Sequence, residues 1–223
     1  MMKPFRFLLL ILSLLVSAAP LPAQQLPPAP SMQSAYAGKI HILGVSNAGK
    51  INDHFYRGAQ PALAGLAELK KLGVTTVVDL RLENPRVLAA ESQQAEVLGL
   101  RFVHIPVGGF SAPAAGQIVQ FLSIFRDQPE QTVFVHCHYG EDRTGVFVAA
   151  YRMGVEHWPA EQALREMEVF GFHRHSQGEM KAYVLHFPAL LQSAPELAQF
   201  QKTLTNTPPS PAPLQPNLAP PQR

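Results

Sequence analysis

The chain has 223 residues, 47% hydrophobic and 15% charged, which is enough apolar material for a buried core and suggests one domain with appendages. Its 18 basic and 16 acidic side chains give a formal net charge of +2. Without the N-terminal residues Lys3 and Arg6 the balance is neutral, so the charge gives no support for a nucleic-acid partner.

The first 23 residues have the pattern of a secretory signal peptide. Lys3 and Arg6 precede an apolar run over residues 7–16, and small residues follow it. This run is shorter than the roughly 20 residues that a membrane-spanning helix needs, which argues against a membrane anchor. We expect cleavage after Ala23, with Ala19 as the alternative site, and an exported, periplasmic or secreted protein without stable membrane insertion.

Proline-rich segments lie on both sides of the middle of the chain. Such segments are typical of extended linkers rather than of packed domains. We therefore predict a signal peptide over residues 1–23, a linker over 24–37, a folded domain over 38–195 and a disordered tail over 196–223.

Strand and helix patterns alternate through the first half of the folded domain. β-Branched and apolar runs predict strands, and apolar residues at helical spacing predict helices. Gly73 and Gly99 follow the two helices and are expected to end them. The predicted strands cover residues 41–45, 55–57, 74–80 and 101–105, and the predicted helices cover residues 62–72 and 87–98.

The second half of the domain contains one strand pattern followed by helices. Residues 132–136 predict a buried strand, and Pro188 is expected to break or bend the last helix. The alternation predicts an α/β fold with a mostly parallel central sheet flanked by helices on both faces. The predicted helices cover residues 114–126, 143–153, 159–169 and 177–191.

Cys137 is the only cysteine of the chain and directly follows the predicted strand 132–136. A lone thiol in an exported protein is either buried and inert or kept free for chemistry. Ligands of open α/β sheets bind at the carboxyl ends of strands. The helix that begins near Arg143 would add unpaired N–H groups and a positive dipole end there, which favours an anion site.

The spacing between Cys137 and Arg143 suits a phosphate group. The intervening loop can turn its backbone N–H groups toward phosphate oxygens, and Arg143 can bind two of them with its planar fork. The same positive field favours a thiolate at Cys137, which is a competent nucleophile. Thr144 can donate a hydrogen bond to the departing sulfur. The phosphate-binding candidates are His138, Tyr139, Gly140, Glu141, Asp142 and Arg143.

The run His136-Cys137-x5-Arg143-Thr144-Gly145 resembles the signature of the protein-tyrosine-phosphatase superfamily, in particular its atypical dual-specificity branch. Residues 55–61 (FYRGAQP), 78–81 (VDLR) and 104–107 (HIPV) resemble its upstream segments, and the resemblance covers roughly residues 38–190. It implies the cysteine-phosphatase fold. It also implies hydrolysis of phosphomonoesters without metal or cofactor, through a phosphocysteine on Cys137 with Arg143 binding the phosphate.

The chain departs from that family at the general acid. The family usually carries an Asp on the loop after the preceding strand, but residues 107–112 (VGGFSA) contain no carboxylate. Asp142 is our favoured acid, since bound phosphate favours a protonated carboxyl group beside it and myotubularin-type lipid phosphatases have a similar arrangement. Asp79 is a second candidate, with a structural role beside Arg81 as its alternative. Unassisted or water-mediated departure is the third possibility.

The remaining histidines favour structural roles. His136 is expected to hydrogen-bond the loop and orient Cys137. The pairs His136/His138 and His173/His175 each supply only two ligands, so we expect no metal site.

The substrate class is less constrained by the sequence. Glu141 and Asp142 would repel a highly charged polyphosphate, so we favour phosphotyrosine-like or dual-specificity phosphoprotein substrates, or a small phosphorylated ligand. The alternatives are an inositol-phosphate or phosphoinositide phosphatase and a non-catalytic phosphoryl-binding module. A second enzyme class is sulfur transfer or arsenate reduction, in which a cysteine loop also holds an oxyanion. Arsenate reduction normally needs resolving cysteines, and Cys137 has no second cysteine to pair with.

Overall fold

The computed structural model describes residues 36–82, 84–173 and 176–200. The predicted signal peptide, most of the predicted linker and residues 201–223 lie outside these residues. The strands are β1 Gly38–Lys39, β2 Gly49–Asn52, β3 Phe55–Ala59, β4 Thr76–Arg81, β5 Arg101–Val107 and β6 Val133–Cys137. The helices are α1 Leu63–Lys71, α2 Pro85–Val97, α3 Ala115–Asp127, α4 Asp142–Gly154, α5 Ala160–Val169 and α6 Gly178–Ser193.

The described strands form one sheet in the order β1-β2-β3-β6-β4-β5. Strands β3, β6, β4 and β5 are parallel, whereas β1 and β2 join the β3 edge as antiparallel strands. This confirms the predicted α/β fold with a mostly parallel sheet. Strand β6 lies between β3 and β4, with Ala59 opposite Cys137 and Asp79 opposite His136.

Helices cover both faces of the sheet. The core beside α1 and α2 includes Leu66, Leu69 and Phe134, and the larger core on the other face includes Val135, Phe121 and residues of α3 to α6. Successive side chains of β6 point alternately into the two cores, as expected for a strand that is buried on both faces. All residues of α4 from Arg143 to Gly154 are buried.

Three local predictions differ from the structure. Residues 41–45 form turns with a single Ile42–Val45 bridge instead of a strand, and the unpredicted strand β2 pairs with β3. Strand β5 continues through Pro106 because it is an edge strand, where a missing backbone N–H is tolerated. Helix α6 continues past Pro188, against the expected break.

The ordered core extends past both predicted domain boundaries. Ala37 is buried, and its N–H donates to Glu166 Oε1 at 2.7 Å. Leu197 and Phe200 pack into the larger core, beyond residue 195, where the folded domain was predicted to end. Among the described residues, no helix has the length and apolar character that crossing a membrane requires.

Candidate active site

Cys137 is the last residue of β6, and its side chain is buried at the base of a cavity of about 430 Å³. Residues 138–141 form the loop that leads to α4, which begins at Asp142. The strand, loop and helix therefore have the arrangement that the sequence predicted. The cavity is lined by Gln60, Arg81, Asn84, Val87, Gly109, Phe110, Cys137, His138, Tyr139, Glu141, Asp142, Arg143 and Gln177.

Side chains and backbone from other segments hold the carbonyl groups of this loop. The Gln60 N–H donates to His138 O at 3.2 Å, and Asn47 Nδ2 donates to the carbonyls of Tyr139 and Gly140. Arg57 Nη2 also donates to Gly140 O, at 2.6 Å. In a trans peptide the next N–H points opposite to the carbonyl. These contacts therefore direct successive loop N–H groups away from β3, toward the open side of the loop.

Gly140 is required by the close approach of the loop to β3. Its φ of +70° lies in the left-handed region, and a Cβ there would overlap the backbone of Gly58 and Ala59. The approach is what lets Arg57 reach the Gly140 carbonyl. A larger residue would displace the loop.

Arg143 lies in the first turn of α4 and is buried, with Nη1 donating to Val107 O at 3.2 Å. This contact holds the guanidinium against the end of β5 while the side chain still lines the cavity. Arg143 and Cys137 therefore face the same cavity, as the predicted phosphate-binding role requires.

Asp142 also lines the cavity, and its carboxylate is held from the segment between α5 and α6. Its Oδ1 accepts from the His173 N–H at 3.0 Å, and its Oδ2 lies 3.3 Å from His173 Nδ1. Gln177 Nε2 donates to the same Oδ2 at 3.2 Å and to Gly109 O at 3.3 Å. Gln177 thus links Asp142 to the loop that lacks the family's usual acid.

The other three aspartates of the chain lie away from the cavity lining. Asp53 and Asp127 are exposed and pair with Lys50 and Arg126. Asp79 has no exposed surface, and Arg81 donates to both of its carboxylate oxygens. The structural alternative for Asp79, bracing Arg81, is the role that this geometry favours.

A buried polar cluster lies behind Cys137 and joins β4, α2 and β6. Arg81 donates to Asp79 and, at 2.5 Å, to Glu91 Oε2. His136 Nε2 lies 2.8 Å from Glu91 Oε1, and its Nδ1 lies 3.3 Å from the Cys137 carbonyl oxygen. Burial, the largest single effect, would raise the pKa of Asp79, but the hydrogen bonds from Arg81 and the attraction to His136 and Arg81 together outweigh it, so the pKa is lowered.

Thr144 and the rim residues complete the predicted site. The Thr144 hydroxyl is fully buried and has no hydrogen-bond partner among the described residues, so no bond joins it to Cys137 there. His138 and Tyr139 lie at the cavity mouth with their rings edge to face at 4.4 Å. Tyr139 is 66% exposed and Phe110, on the loop after β5, is 72% exposed.

Among the residues that the structure describes, two groups of side chains bring potential metal ligands within 4.8 Å of one another. In the cluster of Asp79, Glu91 and His136, the Arg81 guanidinium already contacts both carboxylates and so occupies the place of a cation. The second group is Glu141, Asp142 and His173, on the cavity rim.

Several residues of the site carried no recognisable signal when the sequence was considered alone. Arg57 lies in the quoted segment FYRGAQP, but its role depends on pairing between β3 and β6. Asn47 adopts a positive φ of 49°, and Asn is among the residues that tolerate this conformation, which is the one weak signal. Gln177 reaches Asp142 only because α5 and α6 pack beside α4.

Comparisons with known proteins agree on the family. A family model described as "DSP-PTPase phosphatase fused to NAD+ Kinase" matches residues 44–183. The dual specificity protein phosphatase TpbA of Pseudomonas aeruginosa is 31% identical over 133 residues, 56% of this chain and 55% of that protein. NAD kinase 2, chloroplastic, of Arabidopsis thaliana is 32% identical over 101 residues, 44% of this chain and 10% of that protein.

The alignment with TpbA thus spans about half of that relative's length. Among solved structures, P. aeruginosa TpbA matches with a TM-score of 0.58 and 23% identity, covering 77% of this chain and 98% of that chain. The catalytic core of the PP-IP phosphatase SIW14 from S. cerevisiae has the same TM-score at 16% identity, with coverages of 76% and 100%. At these identities the structural matches show the fold alone. The family model matches more than half of this chain. The chain therefore belongs to the DSP-PTPase phosphatases, an atypical dual-specificity branch of the protein-tyrosine-phosphatase superfamily.

Proposed function

We propose that the chain is a cysteine-dependent phosphomonoesterase that acts on phosphotyrosine-like groups. The observation that carries this proposal is the cavity in which Cys137, Arg143 and Asp142 converge at the junction of β6 and α4. A nucleophile, an anion-binding guanidinium and a carboxyl group are the three functions that phosphoryl transfer through a covalent intermediate requires.

In the first step the Cys137 thiolate attacks phosphorus in line with the ester oxygen. An S–P bond forms, the P–O ester bond breaks, and protonated Asp142 transfers its proton to the departing oxygen. In the second step water attacks the phosphocysteine and its proton passes to the Asp142 carboxylate. The S–P bond breaks, the thiolate is restored and inorganic phosphate leaves. Arg143 and the loop N–H groups hold the phosphoryl oxygens throughout.

The cavity rim favours a flat aromatic ester over a polyphosphate. Phe110 and Tyr139 line the cavity and have exposed rings, against which an aryl group can pack. Glu141 adds negative charge to the wall, which disfavours additional phosphates. A TpbA crystal structure is described as a complex with pTyr, and that relative supports the same substrate class here.

Turnover by the purified full chain tests the proposal. The substrates are a phosphotyrosine peptide, a phosphoserine peptide, an aryl phosphate and an inositol polyphosphate. We expect the highest kcat/KM on the two aryl esters, and no turnover by Cys137→Ser with phosphate-analogue binding retained. Turnover by Cys137→Ser would contradict the nucleophile, and preference for the inositol polyphosphate would contradict the substrate class.

We also propose that the protein acts after export. The basic residues Lys3 and Arg6, the apolar run over residues 7–16 and the small residues after it favour a signal peptide. Expression of the full chain in a bacterium should give a mature protein that begins after Ala23, outside the cytoplasm. An unprocessed chain in the cytoplasmic fraction would contradict this.

A further inference from the structure

A second arginine lies behind the phosphate-binding loop, outside the cavity lining. Arg57 is at the centre of β3 and has no exposed surface. It is in register with Val135 of β6, while Ala59 is in register with Cys137. Because alternate residues of a strand point to the same face, the side chains of Arg57 and Cys137 project to the same side of the sheet.

The Arg57 guanidinium contacts the loop and one aromatic ring. Its Nη2 donates to Gly140 O at 2.6 Å, and its Cζ lies 4.0 Å from the centre of the Phe170 ring. Its Nε and Nη1 are buried and have no hydrogen-bond partner among the described residues. A guanidinium normally satisfies more of its five N–H donors when it is buried.

The charge of Arg57 is also not neutralised by an ion pair with a described carboxylate. Within the described residues none forms an ion pair with it, and the carboxylate that attracts it most strongly, Glu166, is already bound by Arg152 at 2.6 and 3.0 Å. Burial lowers the pKa of Arg57 to about 10, and attraction to Glu166 and then to the Cys137 thiolate partly offsets this. The side chain is therefore cationic at neutral pH.

A buried cation without a paired anion is unfavourable, so the folded protein gains when negative charge forms nearby. The anions that can form there are the Cys137 thiolate and the bound phosphoryl group. This interaction is reciprocal: if the thiolate stabilises the Arg57 cation, the Arg57 cation stabilises the thiolate by the same amount.

We propose that Arg57 is a positioning residue that favours the Cys137 thiolate from behind the loop, through its buried charge, while it holds the Gly140 carbonyl away from the anion. The inference rests on the proposed function only in taking Cys137 as the nucleophile. Arg57 therefore complements Arg143, which acts from inside the cavity.

Other titratable and charged groups lie around Cys137, and none of them is substituted in the Arg57 variants that test the proposal. Those that line the cavity with it are Arg81, His138, Tyr139, Glu141, Asp142 and Arg143. Behind the loop are the buried cluster of Asp79, Glu91 and His136, and the pair Arg152–Glu166.

The rate at which iodoacetamide alkylates Cys137, measured from pH 4.5 to 9 by mass spectrometry, reports the thiolate fraction without requiring phosphatase turnover. Arg57→Met and Arg57→Gln should move the midpoint of this profile upward by about one pH unit, the scale for losing one buried charge at short range. Arg57→Gln carries the test if Arg57→Met does not fold, as judged by thermal unfolding.

Two control variants separate charge from loop bracing. Asn47→Ala removes one neutral hydrogen bond to the same Gly140 carbonyl, together with those to the Tyr139 and Phe170 carbonyls, so it should slow phosphatase turnover and leave the alkylation midpoint unchanged. Lys39→Gln removes an exposed cation 5.5 Å from the centre of the Phe170 ring, and it should also leave the alkylation midpoint unchanged. An unshifted midpoint in the Arg57 variants, or an equal shift in Asn47→Ala, overturns the proposal.

Wild-type protein provides a readout that needs no variant. The NMR resonance of the buried Arg57 Nε–H should shift with pH at the midpoint of the alkylation profile. A resonance that does not respond to that titration contradicts the coupling. If the chain proves to have no phosphatase activity, the alkylation and NMR results still decide the inference.

Discussion

Single residues determine whether the loop after β6 can enclose an anion. Gly140 combines a left-handed backbone with close contact to Gly58 and Ala59, and Asp142 is the one aspartate of the chain that lines the cavity. The sequence indicated both positions, because both lie in the predicted phosphate-binding loop and residues 107–112, where the family usually has its acid, contain no carboxylate.

Replacing Gly140 should disrupt the loop geometry. We expect Gly140→Ala to lower kcat/KM by about 100-fold, because a Cβ displaces the loop N–H groups from the phosphoryl oxygens. Steady-state kinetics on an aryl phosphate measure this. The matched control Gly116→Ala, on the exposed side of α3 with open space around it, should retain full activity. Undiminished activity in Gly140→Ala would contradict the close contact with β3.

Asp142→Asn tests the general acid by its dependence on the leaving group. We expect a loss of about 100-fold or more on an alkyl phosphate, whose oxygen needs a proton to depart. The loss on an aryl phosphate with an acidic phenol should be much smaller. Asp79→Asn, which alters a buried brace, should affect both substrates equally. If Asp142→Asn lost the same activity on the alkyl and the aryl phosphate, the proton for the leaving oxygen would have to come from another donor.

At the scale of elements, buried ion pairs connect the strands and helices around the loop. Arg81 joins β4 to α2 through Asp79 and Glu91, and Glu91 reaches His136 at the end of β6. Arg152 of α4 binds Glu166 of α5 in a second buried pair. These pairs set the position of β6 and α4, and therefore of the catalytic loop.

Ionised Asp79 should stabilise the fold in a pH-dependent way. Its folded pKa lies below the unperturbed value of 3.8, so its contribution is fully present above that pH and is lost as pH falls through the folded pKa. We expect Asp79→Asn to lower the free energy of unfolding at pH 7 by about 3 kcal/mol, because Arg81 loses a buried partner.

Urea unfolding of the full chain between pH 7 and pH 3 measures this effect. The difference between wild type and Asp79→Asn should shrink below pH 4. The matched control Asp53→Asn, at an exposed position, should leave unfolding unchanged across the range. A difference independent of pH would contradict the contribution of the Asp79 charge.

Some elements could be predicted from local sequence and others could not. Residues 132–136 are mostly β-branched and apolar, so their composition alone predicts a buried strand. Strand β2 (GKIN) has no such pattern and exists because β3 offers it a free edge. Helix α6 persists through Pro188 although an isolated helix would be expected to break there.

At the scale of the whole molecule, the loop between β6 and α4 is held between two distant parts of the chain. Asn47 and Arg57 contact it from one side, and His173 and Gln177 from the other. Cys137 is the only cysteine, so no disulfide within the chain can protect its sulfur.

Peroxide should therefore inactivate the enzyme through Cys137. We expect loss of turnover, addition of oxygen to the peptide that carries Cys137, and recovery with a thiol reductant at the sulfenic acid stage. Inorganic phosphate should slow the loss because it occupies the cavity. Activity that survives complete oxidation of Cys137 would contradict its role as nucleophile.

The sequence by itself determined the α/β class and the Cys137–Arg143 loop, because strand periodicity, turn glycines and the spacing of the two residues are local properties. The tertiary structure decided what holds that loop. The partners Arg57 and Asn47 lie 83 and 93 residues from Gly140, and Gln177 lies 35 residues from Asp142. Such contacts arise from strand order and helix packing, which local periodicity does not encode.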